Sequence, residues 1–389
     1  MDKAVVYLMG KLPRHGIDWH EVLHKLISTV HRLPNHLEHG IIGSMTTFPH
    51  PLAQFVYSMY QLFNANDVAL YSEVRNLELE AVKMLGEILG CENCVGMITT
   101  GGSEANLAAL YLAREHGYTK VYIARTAHDS LFKAIKLLKL DAVEVKYDSY
   151  FRIDPDDFEK KCVENGAGIL VTTLGTTGTG SVDRVAELSS IAKRCNVVIH
   201  VDAALGGFVI PFINAELGEV FRYQNVVSAT MDPHKLGLVP IPAGGLVVRD
   251  EQWFSPLYFE SRYMPARYQI GILGTRNAGS IAATWAMLMY MGWDGYRRQA
   301  LSLFERTKFL VEKVRSSGFE VVGEALAPVV CIPIEHESKA LGYLWSKGLY
   351  VYRCGIVRGI RVVIMPHVRR EHLEAVVREL RNFVNTGAL

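Results

Sequence analysis

Residues 197–204 read VVIHVDAA, an apolar and mostly β-branched run that contains a carboxylate near its end. A nearly continuous run of this kind predicts a strand that is covered on both faces of a parallel sheet. Similar runs predict further strands at 120–124, 142–146, 168–174, 226–230 and 245–248. Apolar residues at helical spacing predict helices at 77–89, 104–116 and 130–140. This alternation predicts an α/β fold with a mostly parallel sheet.

The pattern changes in the C-terminal part of the chain. There it predicts helices at 295–316, 338–347 and 370–384, and strands at 319–322, 329–334, 350–353 and 361–365. We therefore expect a small α+β domain to follow the large one. The predicted segments are an N-terminal arm over 1–60, a large domain over 61–295 and a small domain over 296–389.

Composition excludes several classes of function. The 389 residues include 41 Lys and Arg against 40 Asp and Glu, so the chain lacks the basic excess of a nucleic-acid-binding protein. The most apolar stretch, 197–213, contains His200 and Asp202 and is shorter than the about 20 residues that span a bilayer. Residues 1–16 show no signal-peptide cleavage site, and six cysteines are too sparse for a disulfide scaffold. We expect a soluble, cytoplasmic protein with reduced thiols that binds neither nucleic acid nor membrane.

Two short motifs are typical of metal or redox sites. Residues 20–24 read HEVLH, which matches the H-E-x-x-H pattern of zinc-binding helices. Because no third ligand follows at a fitting distance, we interpret these side chains as surface residues and expect no metal. Cys91 and Cys94 form a C-x-x-C without a second pair, and we interpret them as structural cysteines at a helix end, with a redox or metal role as the alternative.

A glycine-rich stretch precedes one predicted helix. Residues 99–106 read TTGGSEAN, in which Gly102 allows close backbone approach and Ser103 adds a hydroxyl at the helix start. Free N–H groups at such a position can bind a phosphate. The alternative is an ordinary helix N-terminus that Ser103 caps. A second loop, GTTGTG at 175–180, lacks the G-x-G-x-x-G spacing of a dinucleotide-binding loop.

Asp202 and Lys235 each lie at or after the end of a predicted strand. Ligands in open α/β sheets bind at the carboxyl ends of strands, so Asp202 is placed for function, although it could also be a buried turn-capping carboxylate. Lys235 lies in DPHKLG at 232–237, where partial desolvation would make its amine nucleophilic. With the aromatic ring of His128 and the phosphate-binding stretch, these groups form the set that pyridoxal phosphate requires.

These segments resemble the pyridoxal-phosphate-dependent group II amino-acid decarboxylases, most closely the short archaeal L-tyrosine/L-aspartate decarboxylases. The matching segments, in family order, are GSM at 43–45, GGSEAN at 101–106, HDSLFKA at 128–134, HVDAALGG at 200–207, DPHKLG at 232–237, ILGTR at 272–276 and MPH at 365–367. The resemblance covers nearly the whole chain. It implies the fold type I architecture of pyridoxal-phosphate enzymes and a homodimer with its active site at the subunit interface.

The resemblance also implies roles for individual residues. Lys235 would bind the cofactor covalently, Asp202 would pair with its pyridine nitrogen, and His128 would stack on its ring. The other implied cofactor contacts are Gly102, Ser103, Thr177, Ala204 and His234, with Gly274 and Thr275 lent by the neighbouring subunit. The implied substrate contacts are Arg361, Ser44 and His50. Tyr258, whose loop departs from the family pattern, is predicted to protonate the substrate Cα, with Tyr263 and Tyr268 nearby; interface packing is the alternative for all three.

The implied activity is α-decarboxylation of an L-amino acid. We expect L-aspartate, giving β-alanine for coenzyme A biosynthesis, with L-tyrosine or L-glutamate as alternatives. Arg262, Arg267 and Arg276 are candidate partners for a side-chain carboxylate, although each could equally be a surface or interface residue. The competing hypotheses are another pyridoxal-phosphate reaction, such as that of an aminotransferase or a phospholyase, and a non-catalytic protein that retains the fold.

Overall fold

The structure is a computed structural model that describes residues 12–36 and 39–385. The absence of a signal peptide was predicted from residues 1–16, most of which lie outside this range. The strands are β1 (Gly40–Ile41), β2 (Val95–Thr99), β3 (Lys120–Ala124), β4 (Asp141–Val145), β5 (Gly168–Thr173), β6 (Val197–Asp202), β7 (Val226–Met231), β8 (Gly244–Val248), β9 (Tyr258–Glu260), β10 (Tyr268–Ile270), β11 (Val329–Pro333), β12 (Leu349–Tyr350), β13 (Tyr352–Arg353) and β14 (Gly359–Val363). The α-helices are α1 (Trp19–Val30), α2 (Pro51–Tyr60), α3 (Ser72–Ile88), α4 (Gly102–Glu115), α5 (Asp129–Leu138), α6 (Pro155–Asn165), α7 (Val185–Arg194), α8 (Ile210–Ile213), α9 (Ala215–Gly218), α10 (Glu251–Phe254), α11 (Ala278–Ser316), α12 (Glu337–Ser346) and α13 (Arg370–Asn385).

A seven-stranded sheet with the order β2-β8-β7-β6-β5-β3-β4 forms the centre of the fold. The five strands β4, β3, β5, β6 and β7 run parallel, and β8 is antiparallel to both of its neighbours. Strands β5, β6 and β7 are buried along their whole length, because helices cover both faces of the sheet. The predicted α/β fold with a mostly parallel sheet is confirmed. The carboxyl ends of β2, β3, β5, β6 and β7 therefore share one edge.

Several elements differ from the sequence-based expectation, among them α6, α7, β9 and β10, which were not predicted. Strand β2 was not predicted, and α11 begins at Ala278 rather than at residue 295, with a break at Gly292, where φ is 56°. The strand predicted at 319–322 is absent from the described structure, in which only Val322 forms a bridge, to Cys331. Gly318 and Gly323 flank this segment with φ of 85° and 79°, which are incompatible with a continuous strand.

A three-stranded antiparallel sheet, β11-β14-β13, and helices α12 and α13 make up most of the C-terminal part. The N-terminal segment contacts this part directly, because β1 pairs in parallel with β12. Helix α11 runs across the predicted boundary at residue 295. The division into an arm and two domains stays a prediction.

The cysteines are paired, which makes the expectation of reduced thiols wrong. The disulfides are Cys91–Cys94, Cys162–Cys195 and Cys331–Cys354, each with its Cα atoms 5.7 Å apart, and none of the cysteines in the described residues is free. Cys162 lies in α6 and Cys195 directly follows α7, and these two helices pack side by side. Sequence spacing could not show this pairing, because the fold creates the proximity.

Helix α1 contains the H-E-x-x-H residues and is exposed along its length. His20 bonds to Asp18, which caps the helix by accepting the His20 N–H at 2.8 Å. Within residues 12–36 and 39–385, no group of three or more His, Cys, Asp or Glu side chains is placed to hold a metal ion. Among these described residues, no helix combines the length and the apolar character needed to cross a bilayer.

The disulfides predict a simple labelling result. We expect the denatured, unreduced protein to take up no thiol reagent, and the reduced protein to take up one label on each of its six cysteines, counted by mass spectrometry. A Cys162→Ser/Cys195→Ser control should take up two fewer labels and unfold with about 3 kcal/mol less free energy. Labelling before reduction would contradict the pairing.

Candidate active site

One cavity at the carboxyl edge of the central sheet brings together most of the predicted cofactor residues. Its volume is about 290 Å³. Eight predicted residues line it, namely Gly102, Ser103, His128, Thr177, Asp202, Ala204, His234 and Lys235. They come from the ends of β2, β3, β5, β6 and β7 and the loops that follow, which is where ligands bind in open α/β sheets.

The glycine-rich stretch forms one wall of this cavity and the start of α4. The N-cap is Gly101, with φ of 146°, and no side chain caps the helix, so the alternative that Ser103 is the cap is wrong. The Glu104 carboxylate accepts hydrogen bonds from the N–H and the hydroxyl of Thr100, both at 2.7 Å. A Cβ on Gly102 would lie 2.8 Å from Asp232 Oδ2, so a larger residue there would intrude on the cavity.

Lys235 enters the cavity beside a buried acid that sequence reasoning missed. Its Nζ lies 2.9 Å from Oδ2 of Asp232, which is only 2% exposed. Asp232 Oδ1 is buried and has no hydrogen-bond partner among the described residues. His234 accepts the Ala243 N–H on Nδ1 at 3.1 Å, and burial lowers the pKa of its imidazole. Asp232 could have been identified from the sequence, because it lies three residues before Lys235 in the same DPHKLG segment.

Asp202 ends β6 as a buried carboxylate with a donor on each oxygen. Oδ2 accepts a hydrogen bond from Asn106 Nδ2 at 3.0 Å, and Oδ1 accepts the Ala204 N–H at 3.1 Å. It therefore caps a turn, as the alternative interpretation expected, and it also lines the cavity. Because a carboxylate offers about four acceptor sites, it can still accept a donor from a ligand.

His128 and Thr177 separate this cavity from a second one of about 590 Å³, which both residues also line. His128 caps α5 by accepting the Ser130 N–H on Nδ1 at 3.2 Å. Arg361 lines the second cavity, donating from Nη1 to the Thr177 carbonyl at 3.1 Å and from Nη2 to the Gly43 carbonyl at 2.9 Å. Its Nε is buried without a hydrogen-bond partner among the described residues, and burial lowers the pKa of its guanidinium.

Four of the predicted cofactor and substrate contacts lie outside both cavities. Ser44 bonds to Thr46 at 2.7 Å, beside Met45, which does line the first cavity. His50 caps α2 by accepting the Leu52 N–H at 3.2 Å. Gly274 and Thr275 are exposed after β10, and their predicted contact with a neighbouring subunit is not tested by a single chain.

Tyr258 also lies away from both cavities of its own subunit, and its role as the proton donor stays a prediction. It packs edge-on against Phe254 and Tyr268 and hydrogen-bonds to Glu251 and Arg75, while burial raises its pKa to about 12. These partners hold the phenol against α3 and α10. Within one subunit, Tyr258 is therefore not placed to protonate a bound substrate.

The three candidate arginines are not gathered at the cavity either. Arg276 is buried and donates to Glu78, which also pairs with Arg75 at 2.7 Å, so within one subunit this candidate is already paired with a carboxylate of the protein. Arg262 and Arg267 are exposed in the turn between β9 and β10.

Comparison with known proteins agrees with this site. Residues 63–335 match the model of the pyridoxal-dependent decarboxylase conserved domain. A relative named L-aspartate decarboxylase, from Thermococcus kodakarensis, is 36% identical and covers 95% of this chain and 98% of its own. A relative named probable L-tyrosine/L-aspartate decarboxylase, from Methanothermobacter thermautotrophicus, is 38% identical over 87% of this chain and 96% of its own.

Among solved structures, a Burkholderia pseudomallei sphingosine-1-phosphate lyase superposes with a TM-score of 0.85 at 24% identity, covering 97% of this chain and 95% of its own. This likeness confirms the predicted fold type I architecture. The family model and the relatives confirm the predicted cofactor and reaction class. The chain therefore belongs to the pyridoxal-dependent decarboxylase family, and it is an amino-acid carboxy-lyase that uses pyridoxal phosphate.

Proposed function

We propose that the first cavity holds pyridoxal phosphate as the resemblance implied. Gly102, Ser103 and His234 bind the phosphate, Asp202 pairs with the pyridine nitrogen and Lys235 bonds to the aldehyde carbon. The remaining contacts are His128 and Ala204 on the two ring faces and Thr177 near the ring substituents. The cavity fits this group, because Gly102 leaves no room for a side chain, Asp202 has spare acceptor capacity, and the Lys235 amine faces the same space.

The protein residues prepare the site for bond cleavage. When bound, pyridoxal phosphate accepts the electrons of the Cα–carboxylate bond as CO₂ leaves. The Asp202 carboxylate favours a proton on the ring nitrogen, because opposite charges in a buried site attract strongly. Lys235 Nζ lies 2.9 Å from the Asp232 carboxylate, which would stabilise a proton held on this amine.

We propose L-aspartate as the substrate, with β-alanine serving coenzyme A biosynthesis. The observation that carries this proposal is the buried Nε of Arg361 beside the cofactor cavity, which has no hydrogen-bond partner among residues 12–36 and 39–385. A buried guanidinium N–H without a partner favours a carboxylate ligand. Arg125 and Arg353 also line the second cavity, where they are paired with Glu144 and Glu337, so Arg361 is the arginine of this wall that is left for a substrate carboxylate among the described residues. The names of the relatives support the same choice.

L-Tyrosine is the second candidate. Some relatives are named for both substrates, and Tyr147 places an aromatic ring in the wall of the second cavity. The phospholyase alternative has only a shared fold to support it, because the lyase structure is 24% identical.

We also propose that the enzyme is a homodimer whose active site lies at the subunit interface. Large apolar side chains are exposed on two helices that pack together: Phe55 and Met59 on α2, and Met289, Tyr290 and Trp293 on α11. Exposed large apolar side chains on neighbouring helices support an interface with another subunit. Gly274 and Thr275 are exposed and thus accessible to a second subunit.

Lys235 gives a direct test of the cofactor assignment. We expect the purified protein to show the visible absorbance of cofactor bound to lysine, and Lys235→Ala to lose that band and to lower kcat by a factor on the order of 1000. Lys193→Ala, which changes an exposed lysine on α7, should keep both. An unchanged band in Lys235→Ala would contradict the assignment.

Substrate choice is tested by measuring kcat/KM for aspartate, glutamate and tyrosine side by side, with CO₂ and keto acid both quantified. We expect aspartate to exceed the other two by on the order of 100-fold. Arg361→Met should lower the value for aspartate by a similar factor, because it leaves the substrate carboxylate unpaired. Arg194→Met, an exposed control on α7, should have no effect. A preference for tyrosine would overturn the aspartate proposal.

The dimer is tested by light scattering and by complementation. We expect a particle of twice 43.5 kDa. Lys235→Ala and Gly274→Arg proteins should each be inactive. In a mixed dimer, one of the two active sites combines the native Lys235 of one subunit with the native Gly274 of the other, so a refolded mixture of the two variants should regain activity. A fully active monomer would contradict the proposal.

A further inference from the structure

Asn106 lies under the cavity and makes hydrogen bonds in four directions. It belongs to α4 and is 1% exposed. Its Nδ2 donates to Asp202 Oδ2 at 3.0 Å and to Ser130 Oγ at 2.9 Å. Its Oδ1 lies 3.0 Å from His200 Nε2 and accepts the Thr230 hydroxyl at 2.8 Å. The amide thus uses its two donors and both acceptor sites.

The orientation of this amide follows from its partners. A carboxylate accepts but does not donate, so the amide nitrogen must face Asp202 and the amide oxygen must face His200. His200 therefore carries its proton on Nε2. Its Nδ1, 2.8 Å from Ser228 Oγ, is then the acceptor, as expected for a neutral ring. Burial lowers the pKa of His200 to about 4, which agrees with a neutral ring.

A second chain of bonds leads from the same amide to His128. Because Ser130 Oγ accepts from Asn106, the Ser130 hydroxyl proton can point at His128 Nδ1, 2.8 Å away. This nitrogen also accepts the Ser130 N–H. Both bonds present Nδ1 as an acceptor, which places the proton of a neutral His128 on Nε2.

We propose that Asn106 is a positioning residue that fixes Asp202 and His128 relative to each other, so that the acid and the stacking ring meet the cofactor in one geometry. The inference rests on the roles proposed above for Asp202 and His128. Asn106 itself does not need to touch a reacting atom.

The sharpest test is Asn106→Asp, which keeps the shape and the acceptors for His200 and Thr230. It sets a second carboxyl group at hydrogen-bond distance from Asp202, and two such groups share one proton. While that proton is present, the new group can still donate to Asp202. When that proton is lost at higher pH, the hydrogen bond from the new carboxyl group to Asp202 is replaced by repulsion between two carboxylates. We expect cofactor affinity to fall about tenfold to a hundredfold across this titration, measured from the pH dependence of the cofactor dissociation constant and absorbance.

Asn225→Asp is the matched control. Asn225 bonds to Ser189 through both its oxygen and its nitrogen, away from the cavity, so the same chemical change should lower the melting temperature without adding a pH dependence to cofactor binding. Ser130→Ala cuts only the second chain of bonds. We expect it to lower kcat about tenfold with little change in KM, because it loosens His128 but leaves Asp202 held.

Imidazole ¹⁵N chemical shifts of the wild-type chain give a readout that needs no cofactor. We expect a single proton on Nε2 of His200, and finding it on Nδ1 would overturn the inference even if no Asn106 variant folds. A folded Asn106→Asp protein with the wild-type pH dependence would overturn it too. Absence of the cofactor absorbance from the wild-type protein would instead count against the proposed function. Failure of the Asn106 inference and failure of the proposed function are therefore distinguishable.

Discussion

A buried carboxylate at the end of a central strand constrains the structure around it. Asp202 is 4% exposed, and a charged group at such a depth requires donors on its oxygens. The fold supplies them from two directions, a side chain of α4 and the backbone of the loop after β6. The parallel order of the sheet brings these elements to one edge, together with the loop that carries Lys235. The order and direction of the strands therefore determine which side chains meet in the site.

Much of this could be predicted from the sequence, because the informative residues break a local pattern. Asp202 interrupts an apolar run, and the strands 120–124, 168–173 and 197–202 are apolar enough to identify alone. The partners of these residues were harder to find. Asn106 bonds to groups that lie 24 to 124 positions away, and no local pattern encodes such contacts. Strand β2 was missed because Gly96 weakens its apolar pattern.

Residue type alone does not show which of the predicted groups already have partners within the chain. Tyr258 and Arg276 have the right chemistry for a proton donor and a carboxylate partner, but each is occupied elsewhere. Arg276 neutralises Glu78, a fully buried acid on α3, whose pKa stays lowered because two arginines outweigh the cost of burial. Breaking such a pair is expensive, on the order of 3–5 kcal/mol. The near-zero net charge of the chain gave no hint of these internal pairings.

The disulfide between Cys331 and Cys354 reaches the second cavity. Cys354 and Gly355 line that cavity, and the Cys354 carbonyl lies so close to Gly178 that a Cβ there would approach it to 2.4 Å. The disulfide thus connects β11 to a wall of the second cavity that Arg361 also lines. A thiol reductant added to the enzyme would therefore act on the protein itself. Kinetic constants measured with and without a reductant would therefore describe two different forms of the protein. They can be compared only when the redox state of the disulfides is known.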